Sequence, residues 1–174
     1  TTADIPVSPV PPVVIGRVNA TNGADTPPQP QQLVMAALGS SIQLLGADYA
    51  IDKAWLSAAG TTPLQVTPGQ TFAVRLYWRT RAALMAELHG FVHLVDAQGR
   101  VIAQQDQAPG LDFQPSTLWL PGNTVLDEYR LWIPSDTQST LLWPRVGLYN
   151  VTTGDRLLSQ GADGTTIDAL QLAP

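Results

Sequence analysis

Two histidines, His89 and His93, stand four residues apart. On a helix that spacing sets both imidazoles on one face, where they can pair as metal ligands. On a strand they still share a face but lie about 13 Å apart, beyond the reach of one ion. The neighbouring residues alternate in polarity, so the strand reading is taken and no metal site is expected. Among fourteen acidic residues, Asp106, Asp127 and Glu128 are the best placed for the paired-carboxylate chemistry of glycoside hydrolysis. Asp127 and Glu128 are adjacent, so on a strand they point to opposite faces and do not act as a pair. With no hydrolase motif around them, these acids are expected on the solvated surface. The chain holds no Gly-x-Ser-x-Gly elbow and no phosphate-cradling glycine loop. It has no cysteine, which removes disulfides, thiolate metal sites and cysteine nucleophiles. A non-enzymatic chain without a cofactor is the expectation.

Aromatic residues offer a different chemistry. Flat indole and phenol rings stack on the C–H faces of sugars, while arginine, asparagine or aspartate bonds the hydroxyls. Five tryptophans are present, Trp55, Trp78, Trp119, Trp132 and Trp143. Trp78 shares a strand face with Phe72, Val74 and Leu76 and is assigned to the core. Around Trp143 the alternation places Leu142, Val146 and Leu148 on one face and Trp143, Arg145 and Tyr149 on the other. An aromatic, an arginine and an aromatic in a row on a solvent face would suit a glycan or a protein partner. These three residues are the candidate ligand site. Coverage by the N-terminal extension would instead make them a satellite of the core. Pro144 limits this strand to an edge or a bulge.

Such residues need strands to position them, and the chain is built accordingly. In Thr71–Arg79, Phe72, Val74, Leu76 and Trp78 alternate with Ala73, Arg75, Tyr77 and Arg79, the signature of a strand with one buried face. Further strands are read near 33–38, 41–47, 52–57, 87–96, 100–106, 123–133, 141–150 and 166–172. Thr67-Pro68-Gly69-Gln70 and Leu120-Pro121-Gly122-Asn123 are Pro-Gly turns. Asp96-Ala97-Gln98-Gly99 and Thr152-Thr153-Gly154-Asp155 are tight hairpin turns. Residues 31–38 and 81–88 have fair helix propensity but no sustained apolar stripe, so at most one short helix is expected. About nine short strands with little helix point to an all-β, antiparallel β-sandwich of immunoglobulin-like or jelly-roll-like type.

Residues 1–32 differ. Seven prolines and an Asn22-Gly23 pair mark a proline-rich extension or linker. Its apolar island at 13–18 is a candidate edge strand. Residues 33–174 form the expected sandwich domain. Net charge is −5, and charged residues make up only 13%, which excludes the basic stripe of a nucleic-acid binder. No apolar run reaches the 18 residues or so of a membrane span, and residues 1–12 lack the layout of a signal peptide. A chain excised from a longer one fits these features.

Four stretches in order carry a family resemblance. They are Gly39-Ser40-Ser41-Ile42-Gln43-Leu44-Leu45-Gly46, then Phe91-Val92-His93-Leu94-Val95-Asp96-Ala97-Gln98-Gly99-Arg100, then Pro115-Ser116-Thr117-Leu118-Trp119-Leu120-Pro121-Gly122 leading to Asp127-Glu128-Tyr129-Arg130-Leu131, and finally Val146-Gly147-Leu148-Tyr149-Asn150 with Thr153-Gly154-Asp155-Arg156-Leu157. Together they resemble the C-terminal β-sandwich region of bacterial multi-spanning membrane proteins of the dolichyl-phosphate-mannose-type glycosyltransferase class. Asn150 stands where aspartate is usual there, and Leu141-Leu142-Trp143-Pro144-Arg145 replaces a Pro-Gly-Tyr-type lead into its strand. The resemblance implies a sandwich outside the membrane, tethered through its parent, with no catalytic residue in this region. The expected function is that of a non-catalytic, extracytoplasmic accessory domain contacting glycan, acceptor or the membrane-embedded part of the parent. The alternatives are a stand-alone carbohydrate-binding module and a structural or adhesion spacer with no small ligand.

Overall fold

The computed structural model describes residues 29–56, 64–110, 115–161 and 163–172. The candidate edge strand at 13–18 lies outside the described residues. Twelve strands follow in chain order: β1 (Gln32–Leu38), β2 (Ile42–Ile51), β3 (Ala54–Trp55), β4 (Leu64–Gln65), β5 (Thr71–Thr80), β6 (Leu88–Val95), β7 (Val101–Gln107), β8 (Thr124–Trp132), β9 (Leu141–Asn150), β10 (Ser159–Gln160), β11 (Thr166–Ile167) and β12 (Leu170–Gln171). One 3-10 turn, Ser116–Leu118, is the helical element among them. No described helix is long and apolar enough to cross a membrane.

The strands form two antiparallel sheets and a small ribbon. The first sheet runs β1-β2-β5-β8, with β3 added to β2. The second runs β12-β9-β6-β7, with β4 added to β9, and β10 pairs with β11. The fold is the all-β sandwich that the alternation implied. Phe72, Val74, Leu76 and Trp78 of β5 are completely buried. They meet Val92 and Leu94 of β6 and Leu142, Val146 and Leu148 of β9 in one core. Each large side chain sealed this way contributes about 1.5–3 kcal/mol by leaving water.

Local chemistry explains the turns. Gly69, Gly99, Gly122 and Gly154 all take positive φ, and each lies in a turn anticipated from sequence. Asp96 fastens the β6–β7 turn by accepting hydrogen bonds from the backbone N–H of Gln98 and Arg100 and from Arg100 Nε.

The strand read at 33–38 is β1; despite the helix propensity of 31–38, its ladder to β2 satisfies the backbone. Two elements differ from the sequence expectation. The strand expected at 52–57 is instead a two-residue turn, Asp52-Lys53, followed by the short β3. Both turn residues have positive φ, 45° and 73°, which neither residue type advertises. The single strand expected at 166–172 is two short strands, β11 and β12.

Pro144 occupies neither an edge nor a bulge. It lies inside β9, paired with Leu94 of β6. On the other side, β4 pairs only Leu141 and Leu142, and β12 pairs Arg145 and Val146. Pro144 comes next in the β12 register, opposite Leu172, whose N–H donates to the Pro144 carbonyl at 2.8 Å; the missing proline N–H leaves out the reciprocal bond, and the ladder stops there.

Candidate functional site

The outer face of the first sheet carries a side-chain arrangement created by register. Trp55 pairs with Ala50, Ala50 with Ala73, and Ala73 with Arg130. These four residues cross β3, β2, β5 and β8 in one row. The two alanines make a low floor, and the indole and the guanidinium rise on either side. With Asp52, Lys53 and Thr71 they line a hollow of about 380 Å³. The row spans three strand spacings, about 14 Å.

The next row along the strands is charged: Asp48, Arg75 and Glu128. Arg75 places its guanidinium 4.3 Å from the centroid of the Trp55 ring. It also donates to Glu128 Oε2 at 2.9 Å. Arg130 donates to the other carboxylate oxygen, from Nε at 3.0 Å and from the terminal nitrogen at 2.6 Å. Glu128 thus orients both arginines. Partial burial alone would raise its pKa, but the hydrogen bonds and charge of Arg75 and Arg130 outweigh that and hold it below the ordinary value. The carboxylate therefore stays ionised. Trp55 is held from behind by Arg75 yet keeps 40% of its surface exposed. Trp132, 60% exposed, follows Arg130 on the same face of β8 and pairs with Thr71.

The turn that carries Lys53 is anchored to β5. Asp52 Oδ1 accepts from Thr71 N–H at 2.9 Å, and Asp52 N–H donates to Thr71 carbonyl at the same distance. Positive φ at two non-glycine residues is a strained arrangement held by its surroundings. Beyond the hollow, the chain before β1 crosses the same face. Gln31 N–H donates to Asp48 Oδ1 at 2.6 Å, and Tyr77 Oη donates to Asp48 Oδ2 at 2.5 Å. Burial, then the bond to Asp48, pushes the Tyr77 phenol up to about 12. Gly46 is required beneath this crossing: a Cβ there would collide with the Gln32 carbonyl and the Pro30 ring. Tyr77→Phe removes one of two donors to a buried carboxylate. The expected loss is about 1.5–3 kcal/mol in a chemical-denaturation measurement, with the fold retained.

Trp143, Arg145 and Tyr149 project outward from β9, opposite the buried Leu142, Val146 and Leu148. All three are half-buried. After β9 the chain turns back alongside the end of the strand: Arg156 bridges to Tyr149, and Leu157 N–H donates to the Leu148 carbonyl. The Arg156 guanidinium sits 4.4 Å above the Phe91 ring, and Phe91 is only 1% exposed. Tyr149 packs edge-on to His89 at 5.9 Å and near Phe91 at 6.5 Å. Arg145 Nε donates to Gln171 of β12 at 3.3 Å. Trp143 is half-buried and pairs with Val95 at the far end of β6. His89 and His93 lie on β6 with partly exposed side chains. His93 is 3.9 Å from Asp106, and burial lowers its pKa more than Asp106 raises it.

The acids resolve differently from the solvated-surface expectation. Glu128 faces outward between arginines, but Asp127 is wholly buried between the sheets. Tyr129 Oη donates to it at 2.5 Å, Gln107 Nε2 at 2.8 Å and Gly110 N–H at 3.3 Å. Burial pushes its carboxyl up to about 6, although these donors and the nearby Trp78 indole favour the charged form. The Trp78 N–H itself has no partner within hydrogen-bond geometry. Sequence carried a signal here. Asp127 alternates with Val125, Tyr129, Leu131 and Ile133, so it had to face the core. The Trp55 site had no such signal, because its members meet only through pairing of distant strands.

No protein-family model and no curated protein matches this chain.

Proposed function

We propose that this chain is a non-catalytic, extracytoplasmic binding module that holds a glycan on the outer face of its first sheet. The carrying observation is the row Trp55–Ala50–Ala73–Arg130: an indole braced by Arg75, standing beside a floor of small side chains. A braced ring loses little rotamer freedom when a sugar stacks on it, and the low floor leaves room for the sugar's edge. Arginine and carboxylate groups around the hollow supply directed bonds to hydroxyls. The non-catalytic reading is supported by the state of the acids, since Asp127 is sealed and Glu128 is held by two guanidiniums.

In this reading the module belongs beside a membrane-embedded parent whose glycan it contacts, and the ordered motifs resembling membrane glycosyltransferase C-terminal sandwiches support that reading. A parent chain with several spans of about 20 apolar residues supports that context. A soluble parent favours a stand-alone carbohydrate-binding module.

A glycan array of the wild-type chain tests the binding. Trp55→Ala is expected to weaken the tightest hit at least about tenfold, as loss of a central aromatic contact does, with little change in stability. Trp143→Ala is expected to leave binding intact. Equal binding by wild type and Trp55→Ala removes this face from the account.

A further inference from the structure

Two cations line the hollow beside Trp55, Lys53 and Arg130, against one lining carboxylate, Asp52. The adjoining row adds Arg75 with Glu128 and Asp48, and Asp48 is already bonded to Gln31 N–H and Tyr77 Oη. Lys53 is the one lysine in a chain of net charge −5. Glu128 is shared, with one oxygen for each arginine, so one carboxylate answers two guanidiniums. Asp52 directs an oxygen to the backbone of Thr71 instead of to either arginine. Arg130 leaves 60% of its side chain exposed, and three of its five N–H donors remain once the bonds to Glu128 are counted. A planar guanidinium with spare donors matches a carboxylate better than a hydroxyl.

Resting on the glycan-binding reading above, we infer that the ligand is an acidic oligosaccharide whose uronate carboxylates meet Arg130 and Lys53 while a ring stacks on Trp55. The sugar face supplies apolar contact at Trp55, Lys53 adds charge at that end of the hollow, and Arg130 adds charge at the other. The turn that holds Lys53 in place, pinned to β5 through Asp52, then positions a cation for the ligand.

The test uses oligosaccharides of galacturonate, of mannuronate and guluronate, and of glucuronate-containing glycosaminoglycan. Each is paired with its carboxyl-reduced, neutral counterpart, and polyglutamate serves as a sugar-free polyanion. Binding is read by tryptophan fluorescence at two salt concentrations. At least one uronate series is expected to bind about tenfold tighter than its reduced partner, the value of one charge-assisted contact. Arg130→Gln is expected to abolish that preference, so that the acid and reduced forms bind alike. Equal binding of acid and reduced forms overturns this inference and leaves the glycan reading standing. Polyglutamate binding as tightly as the uronate overturns it as well, since charge alone then suffices. No binding of any saccharide defeats both readings.

Discussion

Replacing Gly90 by alanine is expected to cost about 3 kcal/mol or more of folding stability, from overpacking together with loss of a buried charged hydrogen bond. Gly90 lies on β6, across the sandwich from β8. A Cβ there would collide with Tyr129 Oη and come within 3.2 Å of Asp127 Oδ2. Tyr129 is fully buried, so its ring has no free space to retreat into. The bond from its hydroxyl to Asp127 must break or the sheets must separate. The double variant Gly90→Ala with Tyr129→Phe removes the colliding oxygen; the nearest atoms left are Asp127 Oδ2 at 3.2 Å and the ring Cζ at 3.3 Å. The double variant is therefore expected to be more stable than Gly90→Ala alone. Urea unfolding measures both. A Gly90→Ala protein within about 1 kcal/mol of wild type, below the usual cost of overpacking, would contradict the packing described here.

The second large effect is a pH dependence that runs against the usual direction for a carboxylate. Asp127 titrates at about 6 in the fold against an ordinary value of 3.8. Between those values the folded chain holds a proton that the unfolded chain has released. Stability from this group is therefore full below about pH 4 and is lost as pH rises through about 6. The size is about 3 kcal/mol, from two pH units or so at 1.36 kcal/mol each. Glu128 has a lowered pKa and acts in the opposite sense, so the wild-type curve alone mixes the two. Asp127→Asn separates them. Its Oδ1 keeps Gln107 and Gly110 as donors, and its amide donates to Tyr129 Oη. The difference between variant and wild type is expected to grow in favour of the variant from pH 4 to pH 6.5. A constant difference across that range would show that Asp127 is not the group responsible.

Much of the frame was legible because it follows from period two. The alternation in Thr71–Arg79 marks which side of β5 is buried, and Trp78 lies where it indicates. The Pro-Gly turns were readable because glycine is the residue that takes positive φ at least cost. Asp52-Lys53 was not readable, since two non-glycine residues hold that conformation only through bonds to Thr71, nineteen positions away. The same limit hid the site. Trp55 is a neighbour of Ala73 and Arg130 only once β3, β2, β5 and β8 are in register. Alternation correctly turned Trp143, Arg145 and Tyr149 outward but carried no information about their neighbours, such as Arg156, which returns beside Tyr149, or Gln171, which accepts from Arg145.

Indole N–H chemical shifts during titration with the tightest glycan hit test the binding claim most directly. Trp78 and Trp119 are buried, Trp143 is half-buried, and Trp55 and Trp132 are exposed. The indole of Trp55, followed by that of its face-mate Trp132, is expected to shift with saturation, while those of Trp78, Trp119 and Trp143 stay in place. A saturating shift confined to Trp143, or bound glycan that moves none of the five signals, would contradict the assignment of function to this face.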